Sequence, residues 1–114
     1  MAIAFSQLFA PNQVNNSAVE TLYTVPTSPT TSLLRNMRVR FSNTTALAAT
    51  IQAWAVQQSG SASDSNCCLP VTSLAANTFI HIDIPVMTVG GKLQAQAGTA
   101  ASITAVCIDG FIQS

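Results

Sequence analysis

His81 and Asp83 are the residues whose types and spacing come closest to a catalytic or metal-binding pattern. They lie two positions apart, so their side chains share one face of an extended strand. With Cys67, Cys68 and Cys107 they offer zinc ligands, but structural zinc sites use ligand pairs at short spacings that do not occur here. His81 could act as a general base, yet no serine lies in a nucleophile elbow and no second acid is nearby in sequence. The sequence therefore predicts no metal site, no cofactor and no enzymatic activity.

The three cysteines form an odd set. Cys67 and Cys68 are adjacent, so in an extended chain they point to opposite faces and are poorly placed to bond each other. The prediction is small buried thiols rather than a disulfide framework.

Three of the four basic residues cluster at Arg35, Arg38 and Arg40. Nucleic-acid-binding domains usually combine net positive charge with exposed aromatic residues. This chain has a net charge of zero, and the nearby Phe41 belongs to the opposite strand face, so no nucleic-acid partner is predicted. Two interpretations stay open for Arg38 and Arg40. They form a solvated strand face, or they meet acceptors on a partner subunit, since the chain has only four acidic residues.

The composition predicts one domain whose surface tolerates close neighbours. Only 7% of the 114 residues are charged, against roughly 25% in ordinary soluble domains. A surface with few charges and no net charge does little to repel other copies of itself. That suits a protein covered in an assembly, although a lightly charged monomer remains an alternative.

No apolar run is long enough for a transmembrane helix, and the opening MAIAFSQLFA lacks the basic region of a signal peptide, so no membrane partner is predicted.

Apolar residues recur with period two, which is typical of β-strands. Met37, Val39 and Phe41 alternate with the polar residues Arg38 and Arg40. A second alternating run places four apolar residues on one face: Ile80, Ile82, Ile84 and Val86. The segment Leu47–Val56 is apolar at both parities, as expected of a strand covered on both sides.

Turn residues separate these runs and indicate the fold class. The tight turn Ser42–Thr45 predicts a hairpin formed by residues 32–41 and 47–56. Seven or eight short strands at this spacing predict an all-β fold, an antiparallel β-sandwich of the jelly-roll type. The first residues do not follow this rhythm. We therefore expect an extended N-terminal arm over residues 1–18 and a sandwich domain over residues 19–114.

From Glu20 onward the sequence resembles a family of small virion proteins of tailed bacteriophages, which includes capsid decoration (cement) and tail-accessory proteins. The resemblance covers most of residues 20–112. It lies in the opening Leu22–Pro26, the strand Met37–Phe41, the turn Asn43–Thr45, the stretch Leu74–Thr78 before a strand, and the ending Ile103–Ile108 with Gly110 and Phe111. The sequence departs from the family at Pro26–Pro29 and at Gly90–Lys92, which puts the docking loops in doubt and leaves the fold unaffected.

The resemblance implies a structural virion protein, foremost a homo-oligomeric decoration protein on the outer capsid surface that stabilises the shell across neighbouring subunits. Its expected partners are the major capsid protein and its own copies, as a dimer or trimer, after synthesis in the host cytoplasm. A tail, neck or fibre-attachment role is the first alternative. A carbohydrate-binding jelly roll is the second, with Trp54 and Tyr23 as the residues suited to stacking on a sugar. The candidate interface residues are Phe5, Leu8, Phe9, Arg38 and Arg40. Truncation of residues 1–18 is expected to abolish capsid binding and leave the domain folded.

Overall fold

The structure of this protein is a computed structural model that describes residues 7–27, 32–98 and 103–113, apart from the side chains of Phe111 and Gln113. Within these ranges the chain is built from strands and one short 3-10 helix, Asp64–Asn66. The strands are β1 (Asn12–Gln13), β2 (Glu20–Thr24), β3 (Leu33–Asn43), β4 (Ala49–Val56), β5 (Cys67–Leu74), β6 (Thr78–Asp83), β7 (Met87–Thr88), β8 (Lys92–Ala97) and β9 (Ile103–Gln113). In this part of the chain no helix is long and apolar enough to cross a membrane.

Two antiparallel sheets pack face to face. The first has the strand order β1-β9-β3-β6, with β7 also paired to β3, and the second has the order β2-β8-β4-β5. Alternate residues of the paired strands point between the sheets, and those residues form one core. The most deeply buried large side chains include Phe41, Leu34, Met37, Ile51 and Leu93. The prediction of an antiparallel β-sandwich is therefore confirmed.

The predicted faces of β3 are also confirmed, and the predicted covering of the next strand on both sides is confirmed for its second half. Met37, Val39 and Phe41 are buried, whereas Arg38 and Arg40 are exposed. On β4, the outward-facing Trp54 and Val56 are buried as well, so the second half of this strand is covered on both sides. Leu47, which the prediction placed in the same covered strand, precedes β4 and is 78% exposed.

The predicted hairpin of residues 32–41 and 47–56 is wrong, because β3 and β4 lie in different sheets. The turn chemistry at this corner is present: the backbone N–H of Thr45 donates to Oδ1 of Asn43. The fully buried Asn43 also donates from Nδ2 to the carbonyls of Leu47 and Leu74. These bonds tie the 44–48 loop to the end of β5, so the chain crosses the end of the sandwich instead of returning beside β3.

The predicted alternation after β6 fails at Val86. Strand β6 ends at Asp83, Ile84 remains buried, and Val86 is 57% exposed. Pro85 cannot donate a backbone hydrogen bond. The chain therefore leaves the alternating pattern, and Met87 of β7 points inward in place of Val86.

Candidate interaction surface

Arg38 lies on the outer face of the first sheet, in a row of charged residues. Its Nε donates to Oδ1 of Asp83 on β6 at 3.2 Å. On the other side of β3, its register partner on β9 is Asp109. The ion pair is well exposed, with 52% of the Arg38 side chain and 83% of the Asp83 side chain accessible to solvent. Arg38 thus has an acidic partner within its own chain.

Arg40 is the centre of a second cluster on the same face. Its Nε donates to Nε2 of His81 at 3.1 Å. Its guanidinium carbon lies 5.1 Å from the centroid of the Phe79 ring, a cation–π contact. The Phe79 and His81 rings are themselves 5.0 Å apart.

The geometry of the β3–β6 ladder explains these close contacts. The N–H of Ile84 donates to the carbonyl of Met37 at 2.8 Å, which makes Met37 and Ile84 a hydrogen-bonded pair. Pairs alternate along an antiparallel ladder, so Arg38/Asp83 and Arg40/His81 are non-hydrogen-bonded pairs. Side chains approach most closely in such pairs. We call the five side chains that result the β3–β6 face: Arg38, Arg40, Phe79, His81 and Asp83.

Together with Asp109 on β9, the β3–β6 face carries two basic and two acidic residues. Arg38 lies between Asp83 and Asp109 in register, whereas Arg40 lies between His81 and Val106. A nucleic-acid surface usually carries a continuous excess of positive charge. Arginine and aromatic side chains are instead enriched at protein–protein interfaces, and this exposed face carries both.

The predicted arm residues are placed differently from the arginines. Gln7 donates from Nε2 to the Cys107 carbonyl, and the N–H of Leu8 contacts the Cys107 sulfur at 3.3 Å. Leu8 and Phe9 are half-buried and pack against the core of their own chain. Phe5 lies outside the described residues. The structure therefore does not bring the arm residues together with Arg38 and Arg40, and their role as an interface stays a prediction.

The residues first considered for metal or acid–base chemistry have structural surroundings. His81 and Asp83 are each bonded to an arginine, and across the described ranges no three or more His, Cys, Asp or Glu residues form a group that could hold a metal. Cys67 donates to the Leu69 carbonyl. Burial raises the pKa of the Cys68 thiol to about 11, with a smaller contribution from Cys67. Cys107 is buried, whereas Cys67 and Cys68 are half-buried, and the described thiols are free.

An open cleft of about 660 Å³ lies between the 57–66 loop and β7. Its lining is uncharged and contains Val56, Cys68, Val86 and Met87 but no aromatic ring. Trp54 is only 7% exposed and Tyr23 is half-buried. Sugar sites commonly stack a ring on an aromatic face, and these two side chains are not presented for such stacking at the cleft.

The sequence points to the two arginines but not to their partners. His81 and Asp83 were assigned to one strand face from their spacing alone. The sequence does not show that this strand pairs with β3, because the paired residues Arg40 and His81 are 41 positions apart. A match between the polar faces of two alternating strands was the signal that could have suggested it.

These features define an antiparallel β-sandwich with a mixed-charge outer face. No protein-family model matches the sequence, and no curated protein matches it. Solved structures do match. One is a chain in the structure of infectious bursal disease virus (IBDV) Gx strain, with a TM-score of 0.57 and 13% identity over 97% of this chain and 31% of that chain.

A second is a chain in the crystal structure of the T13 IBDV viral particle, with a TM-score of 0.53 and 9% identity over 97% of this chain and 30% of that chain. At these identities the likeness shows a shared fold. The present chain spans just under a third of the length of the viral chains that it matches.

Proposed function

We propose that this protein is a structural component of a virus particle, and specifically a decoration (cement) protein on the outer capsid surface. The observation that carries the proposal is the fold: 97% of the chain aligns with a chain from an icosahedral virus particle. The sequence resemblance to virion proteins of tailed bacteriophages points to the same role and suggests the type of virus.

The strand order supports a jelly roll within this proposal. A jelly roll contains eight strands in two sheets, arranged as two Greek keys. The orders β1-β9-β3-β6, with β7 also on β3, and β2-β8-β4-β5 place most strands that are neighbours in sequence in opposite sheets. The exceptions are β4 with β5 and β6 with β7. Such connections put loops at both ends of the sandwich and leave the outer face of the first sheet available for contacts.

The surface supports assembly in many copies. The chain has four basic and four acidic residues and no net charge, so neighbouring copies repel one another little. Specific interfaces bury roughly 800 Å² per partner, and repetition around a shell adds avidity that one contact lacks. The proposed partners are the major capsid protein and further copies of this chain. We expect no catalytic activity, cofactor, nucleic-acid partner or membrane partner.

Counting the protein on purified particles tests the proposal. We expect a copy number comparable with that of the major capsid protein, and removal of the protein should lower the temperature at which the shells open. A few copies per particle would instead support the alternative, a tail, neck or fibre-attachment component. Absence from washed particles would contradict both.

A further inference from the structure

The four edges of the two sheets differ in how well they are protected against pairing with another strand. Natural edges are commonly shortened, bent by bulges or interrupted by proline. Strand β1 has two residues, β2 has a register shift between Thr21 and Tyr23, and β5 contains Pro70 and two register shifts. Strand β6 has six residues that pair with β3 without a shift, and it contains no proline, glycine or lysine.

The backbone of β6 has a defined set of groups on its free side. Ile84 donates to Met37 of β3, and backbone groups alternate in direction along a strand. The backbone N–H and C=O groups of the even-numbered residues of β6 therefore bond to β3. Those of Phe79, His81 and Asp83 lie in the plane of the sheet and point away from β3, toward the free edge. Each β6 strand thus offers six backbone groups for a further strand.

The side chains of β6 are also incompletely covered. Ile80 and Ile82 point toward the core but are only half-buried, because among the described residues no strand lies beyond β6. On the other face, Phe79 is 59% exposed. A strand added at this edge would cover the two isoleucines and extend the hydrogen-bonded ladder.

We propose that a second copy of this chain pairs its β6 antiparallel to this β6, around a two-fold axis at His81. In this register His81 faces His81 of the second copy, Ile80 faces Ile82, and Phe79 faces Asp83. All three residues with outward-pointing backbone groups then lie in hydrogen-bonded pairs, which gives about six interstrand hydrogen bonds. The first sheets of the two copies become one continuous sheet.

Two-fold registers one residue away have their axis at Ile82 or at Ile80. The Ile82 register places Phe79 opposite Pro85, which has no N–H to donate. The other of these two registers has its axis at Ile80. It places Asp83 opposite Asn77, which lies outside β6 and has a positive φ of 58°. Strand pairing at that residue is poor, because extended backbone has negative φ. The His81 register also opposes no two carboxylates or arginines, so the edge is compatible with a copy of itself.

This inference deepens the proposed assembly role, since it names the surface through which copies of the chain meet. It is tested on the purified protein alone. Failure of the test would leave the count on particles unaffected.

The main experiment is disulfide trapping of His81→Cys in a background with Cys67→Ser and Cys68→Ser. Directly opposite residues of a hydrogen-bonded pair have Cα atoms about 5.5 Å apart, within the roughly 4.4–6.8 Å that a disulfide spans. Under mild oxidation we expect nearly complete covalent dimer on a non-reducing gel. The matched control is Phe79→Cys in the same background, because this residue lies on the same strand and face but about 14 Å from its own copy.

The control should give at least ten-fold less dimer than His81→Cys. Equal dimer from both variants, or dimer from neither, would overturn the proposal. A mixed disulfide that forms only between the two variants would overturn the axis at His81. Pairing of β6 with a different protein in place of a second copy would appear as an absence of dimer from His81→Cys.

A second variant tests the pairing without oxidation. His81→Pro removes an N–H that points away from β3, so the bond pattern with β3 is retained. By sedimentation equilibrium we expect the wild-type protein to dimerise and the variant to have a dissociation constant at least ten-fold higher. Circular dichroism checks that the variant is folded. A wild-type protein that stays monomeric at millimolar concentration would contradict the proposal.

Discussion

Asn43 is a buried polar residue that joins two loops at one end of the sandwich. Its Nδ2 lies within hydrogen-bond distance of the carbonyls of Leu47, Leu74 and Ala75, and its Oδ1 accepts from the N–H and the hydroxyl of Thr45. A buried amide stabilises a fold when such bonds are complete, and it costs free energy when they are lost.

We therefore expect Asn43→Ala to lower the free energy of unfolding by about 2–3 kcal/mol, because the buried bond to the Leu74 carbonyl and the part-buried bonds to Leu47 and Thr45 are lost. Urea denaturation measures this change. Thr44→Ala is the control, since Thr44 is exposed, and its effect should stay within about 0.5 kcal/mol. A loss below about 1 kcal/mol for Asn43→Ala would mean that water replaces the amide at this corner.

The partial burial of the Cys68 thiol makes the free energy of unfolding depend on pH. Desolvation, with a smaller effect of Cys67, raises its pKa from 9.0 to about 11 in the folded protein. An acid whose folded pKa is raised holds its proton more tightly in the folded state, so its contribution to stability is complete below pH 9 and is lost as the pH rises toward 11. Burial also raises the pKa of Tyr23, which acts in the same direction.

We expect the free energy of unfolding to fall between pH 9 and pH 11, and Cys68→Ala to reduce that slope. Cys67→Ala is the matched control, and it should reduce the slope less than Cys68→Ala does. Urea titrations at a series of pH values provide the measurement. An unchanged slope in Cys68→Ala would show that the thiol is not protected from solvent.

At the level of elements, the sequence predicts strand faces well and strand partners poorly. The side chains of Met37, Val39 and Phe41 alternate with two arginines, and that local period alone determines which face is buried. The pairing of β3 with β6 and β9 depends on where the loops lead the chain. Ser42–Thr45 has the residues of a tight turn, but the bonds of Asn43 to Leu74 and Ala75 involve a segment about 30 positions away.

The same distinction applies to the β3–β6 face. Arg38 and Arg40 were predicted as outward residues with an unknown acceptor. Their acceptors, Asp83 and His81, are brought to them by the ladder. In both arginines the described hydrogen bond uses Nε, and a guanidinium has five N–H donors. Donors remain for contact with a neighbour.

The double variant Arg38→Ser/Arg40→Ser separates the two remaining interpretations of this face. The free energy of unfolding should fall by about 1 kcal/mol or less, because exposed ion pairs contribute little. At low salt the variant should bind particles more weakly than the wild-type protein. At high salt this difference should be smaller, because screening already weakens exposed charge pairs. Unchanged occupancy at low salt would identify the arginines as a solvated strand face.

At the level of the whole molecule, the segment around Val14 connects the two sheets. The N–H of Val14 donates to the Ile103 carbonyl of the first sheet, and the Asn15 carbonyl accepts from Ala97 of the second sheet. Val14 is 1% exposed, and β1 pairs with β9 immediately before it. Residues assigned from the sequence to an arm therefore contribute to the core, because a two-residue strand is too short to produce a recognisable period.

This position changes what truncation should do. Deletion of residues 1–18 was expected to leave the domain folded, but it removes the burial of Val14, worth about 1.5–3 kcal/mol, together with hydrogen bonds to both sheets. We expect an unfolding free energy at least about 3 kcal/mol lower, a large share of the roughly 5–15 kcal/mol of a typical domain.

Deletion of residues 1–6 removes none of the described contacts and should leave the urea midpoint nearly unchanged. Only this shorter deletion can separate a binding role of Phe5 from loss of folding. A midpoint for the longer deletion equal to that of the full chain would mean that the two sheets hold together without the segment around Val14.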